Sequence, residues 1–322
     1  MSELKKQIEN FIIANRAKGK PLTAKSLMAY SSTLLNLYNQ VYGTIEDFDI
    51  SRFNDYKTIL HYLKDAPNST RKTKMATLLN VATDKKAIQE YKKIMSNDAE
   101  LYDKEQSRNK ATAEQKAVNL TQDEIHQKGA IYKNSFDYEL AELSKKQSPK
   151  KYGAYTKIEL LKHIIYMLTS GEYIPPRRLL DWVELKVQKI DKRTKKHEKA
   201  NYNIYDPKSG QFIMNVYKTA DSMGTQYIQA PKTMQDDINK YIKLNGLNDG
   251  DYLITDKGGD PLTVSNFNKR LGQIYGEGRG CNVLRHSFIT EKYKSLPTVE
   301  DILTTAGAMG HGLETHLKYI KN

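Results

Sequence analysis

Strand-like patterning in this chain is confined to residues 200–230, while apolar residues recur at helical spacing through most of the remainder. From Thr23 to Tyr42 the positions Leu27, Tyr30, Leu34, Leu37 and Val41 share one helical face, with Thr23 placed to cap the start and Gly43 to stop the helix. Leu4, Ile8, Phe11 and Ile12 make an amphipathic helix of residues 3–17, followed by a loop through Gly19 and Pro21. A helix over about 52–64 ends at Pro67. Ser69-Thr70-Arg71-Lys72 opens another, with Met75, Leu78 and Leu79 facing inward, and one more covers 84–96. Residues 1–110 therefore read as an all-helical domain. The polar, weakly patterned stretch that follows is expected to be a linker, set at 111–119; an exposed helix is the other reading.

Thr121 and Glu124 form a capping box, so a second domain is expected over 120–322. It should hold a strongly apolar helix at 156–170 and, after Pro175-Pro176, helical spacing over 177–187. Strands are expected at 200–205, 211–218 and 225–230, separated by turn-forming residues, and helices at 233–244, 263–275, 283–293 and 298–307. The expected fold class is mainly α with a small antiparallel sheet (α+β), in two domains.

At 322 residues, each domain can bury its own core. The net charge of +13 is spread over both halves, as suits a polyanion held between two basic surfaces. Cys281 is the sole cysteine, which excludes an intrachain disulfide and a thiolate metal site and fits a reducing compartment. No run approaches the ~20 apolar residues of a membrane span, and MSELKKQIENF lacks the apolar core of a secretion signal. The expectation is a protein that is not secreted, with no membrane partner, metal or cofactor.

Within residues 178–319, Arg178, Lys218, Arg285, His311 and Tyr319 occur in an order that suits phosphodiester transesterification. A phosphodiester repels nucleophiles, and its nonbridging oxygens gain charge in the transition state. Arginine binds them with a planar fork that stays protonated. A tyrosine can attack and conserve the bond as a phosphotyrosine, and a lysine can protonate the departing oxygen. Asp181, three residues after Arg178, is placed to pin its guanidinium; Arg177 is the competitor for the Arg178 role. Lys218 ends the second strand against a turn. Arg285, at the expected start of a helix, is unfavourable to the helix dipole unless an anion binds there. In the first domain, Ser69, Thr70, Arg71 and Lys72 combine free helix amides with positive charge, a suitable seat for DNA phosphates.

Arg178-Leu-Leu-Asp181, Leu284-Arg285-His286-Ser287, Met309-Gly310-His311 and Tyr319 resemble the boxes of the tyrosine recombinase (phage integrase) family. That family's pattern is an arginine with an acidic residue three later, a hairpin lysine, His-x-x-Arg-His, Gly-His, and a tyrosine eight to ten residues on. The resemblance covers about 156–319. It implies a helical core-binding domain and a catalytic domain clamped around double-stranded DNA, a 3′-phosphotyrosyl intermediate, and strand exchange in a homotetramer without metal or ATP. By the same resemblance Arg178 and Arg285 bind the scissile phosphate, Lys218 is the general acid, His311 hydrogen-bonds the phosphate, His286 supports the site and Tyr319 attacks. The Arg178 segment and the short tail point within the family to integrases of large DNA viruses and their satellites, acting where the host holds DNA, in cytoplasm or nucleus.

Two departures stand out. Asn282 occupies the first position of His-x-x-Arg, and asparagine cannot shuttle a proton. The sequence also ends three residues after Tyr319, too few for a docking helix. A type IB topoisomerase, and a DNA-binding protein that kept the fold and lost catalysis, are the alternative readings.

Overall fold

The computed structural model describes residues 2–16, 21–107, 110–145, 153–191, 194, 196–294 and 297–320. The expected loop at Gly19 and the final residues Lys321 and Asn322 lie outside these. The chain divides into two compact units, 1–108 and 109–322.

The first unit is helical: α1 (Ser2–Asn15), α2 (Ala24–Tyr42), α3 (Tyr56–Tyr62), α4 (Asn68–Leu78) and α5 (Lys85–Ser107). The Thr23 hydroxyl accepts the Ser26 amide at the start of α2, and Gly43 ends it in the left-handed region at φ 76°. Leu34, Leu37 and Tyr38 of α2 meet Phe53, Ile59, Met75, Leu78 and Tyr91 in a buried core; each such side chain contributes roughly 1.5–3 kcal/mol by leaving water. The single helix expected over 52–64 is broken into a 3₁₀ turn, Ile50–Asn54, and α3, because the Asp55 carboxylate accepts the Thr58 amide and starts a new helix. Helix α5 extends past the expected end at 96 to Ser107.

The second unit begins with α6 (Ala113–Val118), so the expected linker 111–119 is largely helical. Thr112 and Gln115 form a capping box there, a local signal strong enough to order a polar segment. Then follow α7 (Gln122–Ser144), α8 (Ala154–Thr169), α9 (Leu180–Val183), β1 (Lys186–Val187), β2 (Ile204–Asp206), β3 (Gln211–Met214), α10 (Ala220–Met223), β4 (Gln226–Gln229), α11 (Lys232–Asn245), α12 (Val264–Tyr275), α13 (Cys281–Lys292), α14 (Val299–Ala308) and α15 (Leu313–Leu317). The Thr121–Glu124 capping box starts α7. The core runs from Leu160, Ile164 and Leu168 of α8 through Trp182 to Phe212 of β3, Phe267 of α12 and Leu284 of α13.

The sheet is mixed, not antiparallel. Its order is β1-β2-β3-β4, with β1 parallel to β2 and the other pairs antiparallel in the register Tyr205↔Phe212 and Ile213↔Tyr227. The unexpected strand, β1, lies where the sequence predicts the end of a helix over 177–187. Only Leu180–Val183 is helical; beyond it the Lys186 and Gln188 amides donate to Asn203 and Tyr205 carbonyls, so pairing with β2 wins over the helical spacing.

Candidate active site

Four separate segments meet at the C-terminal end of α14. A helix leaves its last four carbonyls without internal partners and carries negative potential there. Here side chains from elsewhere reach the carbonyls of Gly307 and Ala308 in its last turn, of its C-cap Met309 and of Gly310 just beyond. Gln226 Nε2 donates to Gly307 O at 3.0 Å, Arg177 Nη1 to Ala308 O at 2.7 Å, Arg285 Nη1 to Met309 O at 3.2 Å, and Arg178 Nη1 to Gly310 O at 2.8 Å. The Thr219 hydroxyl also donates to Gly310 O at 2.8 Å. Three guanidinium groups therefore gather in one place because a helix terminus offers them acceptors.

The two neighbouring arginines do different things. Arg177 is fully buried: Nε donates to Asp181 Oδ2 at 2.9 Å, Nη1 also reaches Gln226 Oε1 at 2.8 Å, and the guanidinium lies 4.8 Å from the Tyr217 ring. Among the described residues, Arg177 Nη2 and Asp181 Oδ1 have no hydrogen-bond partner. Burial pushes the Asp181 carboxyl up, against the opposing pull of Arg177. Asp181 thus pins Arg177, correcting the expectation that it pins Arg178. Arg178 remains half-exposed in irregular chain just before α9. The Pro175-Pro176 segment turns one arginine inward and leaves the next at the surface.

Arg285 is buried in the second turn of α13, which starts at Cys281, so it is not at the helix start as expected; its charge faces the favourable end of α14. Its Nη1 also donates to Pro176 O at 2.9 Å, its Nη2 lies 2.6 Å from His311 Nδ1, and its Nε donates to the Tyr319 hydroxyl at 3.3 Å. The Tyr319 ring stacks on His311 at 5.2 Å, lies 4.4 Å from His286 and sits 5.0 Å from the Arg285 guanidinium. His286 Nδ1–H donates to the Tyr319 carbonyl at 3.0 Å. Arg285, His286, His311 and Tyr319 therefore form one cluster, with Arg178 joined to it through Gly310.

His311 continues inward. Its Nε2 is 2.8 Å from His316 Nδ1, and His316 Nε2 is 2.7 Å from the Tyr293 hydroxyl. Burial, reinforced by the Arg285 charge, holds His311 down to about 3 and His316 down to about 4. Burial likewise pushes the Cys281 thiol up to about 11; its Sγ donates to Arg177 O at 2.9 Å.

Lys218 and Asn282 stand apart. Both are exposed, and among the described residues no hydrogen bond joins either side chain to the cluster. Strand β3 ends at Met214, so Lys218 sits not at a strand end but four residues beyond, in the β3–β4 connection. Its neighbour Thr219 ties that connection to Gly310. In the first unit, Ser69 and Thr70 are exposed in the first turn of α4. Arg71 donates to both Asp98 oxygens, and Lys72 lies 4.7 Å from the Tyr102 ring. No group of three or more metal-ligating side chains occurs among the described residues, and no helix there is long and apolar enough to cross a membrane.

Sequence reasoning missed His316, Gln226 and Thr219, and named Arg177 only as the competitor for the Arg178 role. His316 has no distinguishing pattern; its partners, His311 and Tyr293, are defined only once α15 packs.

No protein-family profile and no curated protein matches this chain. Among solved structures, the XerA recombinase aligns over 98% of this chain and 93% of its own at 13% identity and a TM-score of 0.39. The XerH site-specific recombinase, solved bound to its difH substrate as a pre-cleavage complex, aligns over 98% of this chain and 81% of its own at 16% identity and a TM-score of 0.49.

Proposed function

We propose that the second unit is a DNA strand-transfer site of the tyrosine recombinase kind. The observation that carries this reading is the convergence on Arg285: a tyrosine hydroxyl at 3.3 Å from Nε and a histidine at 2.6 Å from Nη2, brought from separate segments. Tyr319 Oη gives its phenolic proton to water and forms a bond to phosphorus as the bond to the 5′ oxygen breaks, and Lys218 delivers a proton to that oxygen. Arg178 and Arg285 neutralise the nonbridging oxygens, an effect worth roughly 10²–10³ in rate per donor. The product is a 3′-phosphotyrosyl linkage that a second 5′ hydroxyl reverses.

Double-stranded DNA fits the +13 charge. A depression of about 320 Å³ bordered by Lys157, Lys257, Lys269 and Arg270 adds a phosphate-attracting surface in the same unit. The finer parts of this reading are residues 69–72, which rest on helix-start amides and charge, an intracellular site of action, which rests on the single cysteine and the resemblance, and assembly of four protomers on DNA and integration of a viral or satellite element, which rest on the sequence resemblance.

The test is covalent trapping. Wild type and Tyr319→Phe are mixed with nicked suicide duplexes from a randomised library, and the products are run on a denaturing gel. A shifted band that requires Tyr319 supports the reading, and sequencing the trapped DNA gives the site. Binding to DNA with no adduct on any duplex favours the silent binder. Relaxation of supercoils by monomers without sequence preference favours the topoisomerase.

A further inference from the structure

The hydrogen bonds running inward from Arg285 have a direction, and the direction decides what His311 can do. A guanidinium only donates. The 2.6 Å contact therefore makes His311 Nδ1 the acceptor. A neutral imidazole with one accepting nitrogen carries its proton on the other, so His311 Nε2–H donates to His316 Nδ1 at 2.8 Å. The same logic puts the His316 proton on Nε2, which donates to the Tyr293 hydroxyl at 2.7 Å. His311 and His316 are both buried. Every ring nitrogen in this chain of contacts is occupied.

We infer that His316 is a positioning residue for the strand-transfer site: by accepting the Nε2 proton of His311 it locks the tautomer whose Nδ1 orients Arg285, with Tyr293 fixing His316 in turn. This rests on the reading of Arg285 and Tyr319 given above. It reassigns His311 as well, since neither of its nitrogens is left to donate to a phosphate while the chain is intact. Were His316 unable to accept, His311 could move its proton to Nδ1. Two N–H groups would then face each other, and Arg285 would lose its orientation. Displacements of that size, about 1 Å, cost on the order of 10² in rate at a transesterification centre.

The tautomer is read directly by long-range ¹H–¹⁵N correlation spectra of the free full-length protein with ¹⁵N-labelled histidine. The expected spectrum shows His311 protonated at Nε2 and bare at Nδ1; a proton on Nδ1, or averaging between tautomers, overturns the inference whatever the protein does to DNA. Single-turnover cleavage of a trapped duplex then compares three variants. His316→Asn places an amide oxygen near the former Nδ1 and is expected to retain rate within about threefold, whereas His316→Leu loses roughly tenfold or more at unchanged DNA affinity. Tyr293→Phe, which keeps the ring, falls between them. Rescue by Asn but not by Leu separates positioning from loss of structure; burial and the Arg285 charge act on His311 in every variant, so none is expected to gain a His311 limb above about pH 5. Equal rates in His316→Leu and wild type would sink the inference. An absent Tyr319 adduct in wild type with the expected tautomer would instead remove the strand-transfer reading and leave the hydrogen-bond chain standing.

Discussion

Arg177 and Asp181 form an ion pair at 2.9 Å in which both side chains are closed to solvent. Removing one partner of such a pair leaves the other charged and unpaired in the interior. Arg177→Ala should therefore cost about 3–5 kcal/mol of unfolding free energy. Arg178→Ala should cost about 1 kcal/mol, one surface-accessible hydrogen bond, yet reduce cleavage by roughly 10² or more. Urea unfolding followed by fluorescence of Trp182, the single tryptophan and fully buried in the second unit, separates the two. If Arg178→Ala proved the more destabilising, the division of labour would be reversed.

Gly310 has φ 68°, and a Cβ added there would lie 2.5 Å from Arg177 Nη2. Arg177 cannot swing away without abandoning Asp181, Gln226 and Ala308 O. Gly310→Ala is expected to cost ~1–3 kcal/mol through backbone strain alone and to weaken cleavage by shifting His311. Gly307, three residues earlier inside α14, has open space at its Cβ. Gly307→Ala should be neutral or stabilise by up to about 1 kcal/mol. Thermal melts of both variants check the pair.

Stability of the second unit should fall on mild acidification. His311 and His316 are held down to about 3 and about 4 in the folded protein, against about 6.5 when unfolded. Between those values the unfolded chain binds more protons than the native one, so unfolding free energy declines as pH falls from about 6.5 towards 4 and is level above about 7. The total is on the order of a few kcal/mol, shared by two interacting sites. Trp182-monitored urea unfolding at several pH values measures it, and replacing both histidines by Asn should flatten the slope. A wild-type slope of zero in this window would contradict the buried neutral pair.

Lys218 is exposed and outside the sheet, so Lys218→Ala should alter stability by less than about 0.5 kcal/mol. As general acid it should still be needed for cleavage. A substrate with sulfur at the 5′ bridging position leaves as a thiolate of ordinary pKa about 8.5 and requires no proton. That substrate should restore Lys218→Ala but not Arg285→Ala. Failure to rescue, with wild type still cleaving the same substrate, would move the acid elsewhere.

Much of the architecture was legible because its causes are local. Thr23, Gly43, Thr121 and Glu124 act on amides within four residues, so the bounds of α2 and the start of α7 follow from spacing alone. The Thr112–Gln115 box was equally local; the polar composition around it masked a helix as a linker. At Lys186-Val187 helical spacing misled, since the partner that makes it a strand lies at Ile204-Tyr205 and is invisible to a periodicity argument.

The sequence by itself determined that this is a basic, mainly helical chain, with three of the four described strands falling in the one short region it marked, and it supplied the order Arg178, Arg285, His311, Tyr319 along the chain. Only the tertiary structure decided which of two adjacent arginines is buried against Asp181, that Tyr319 lies against Arg285, and that His311 leans on His316 and Tyr293. The reason is physical. Capping and periodicity are satisfied by near neighbours, whereas the open carbonyls at the end of α14 are satisfied by guanidinium groups from Arg177 and Arg178, some 130 residues away in sequence, and only packing can bring them there.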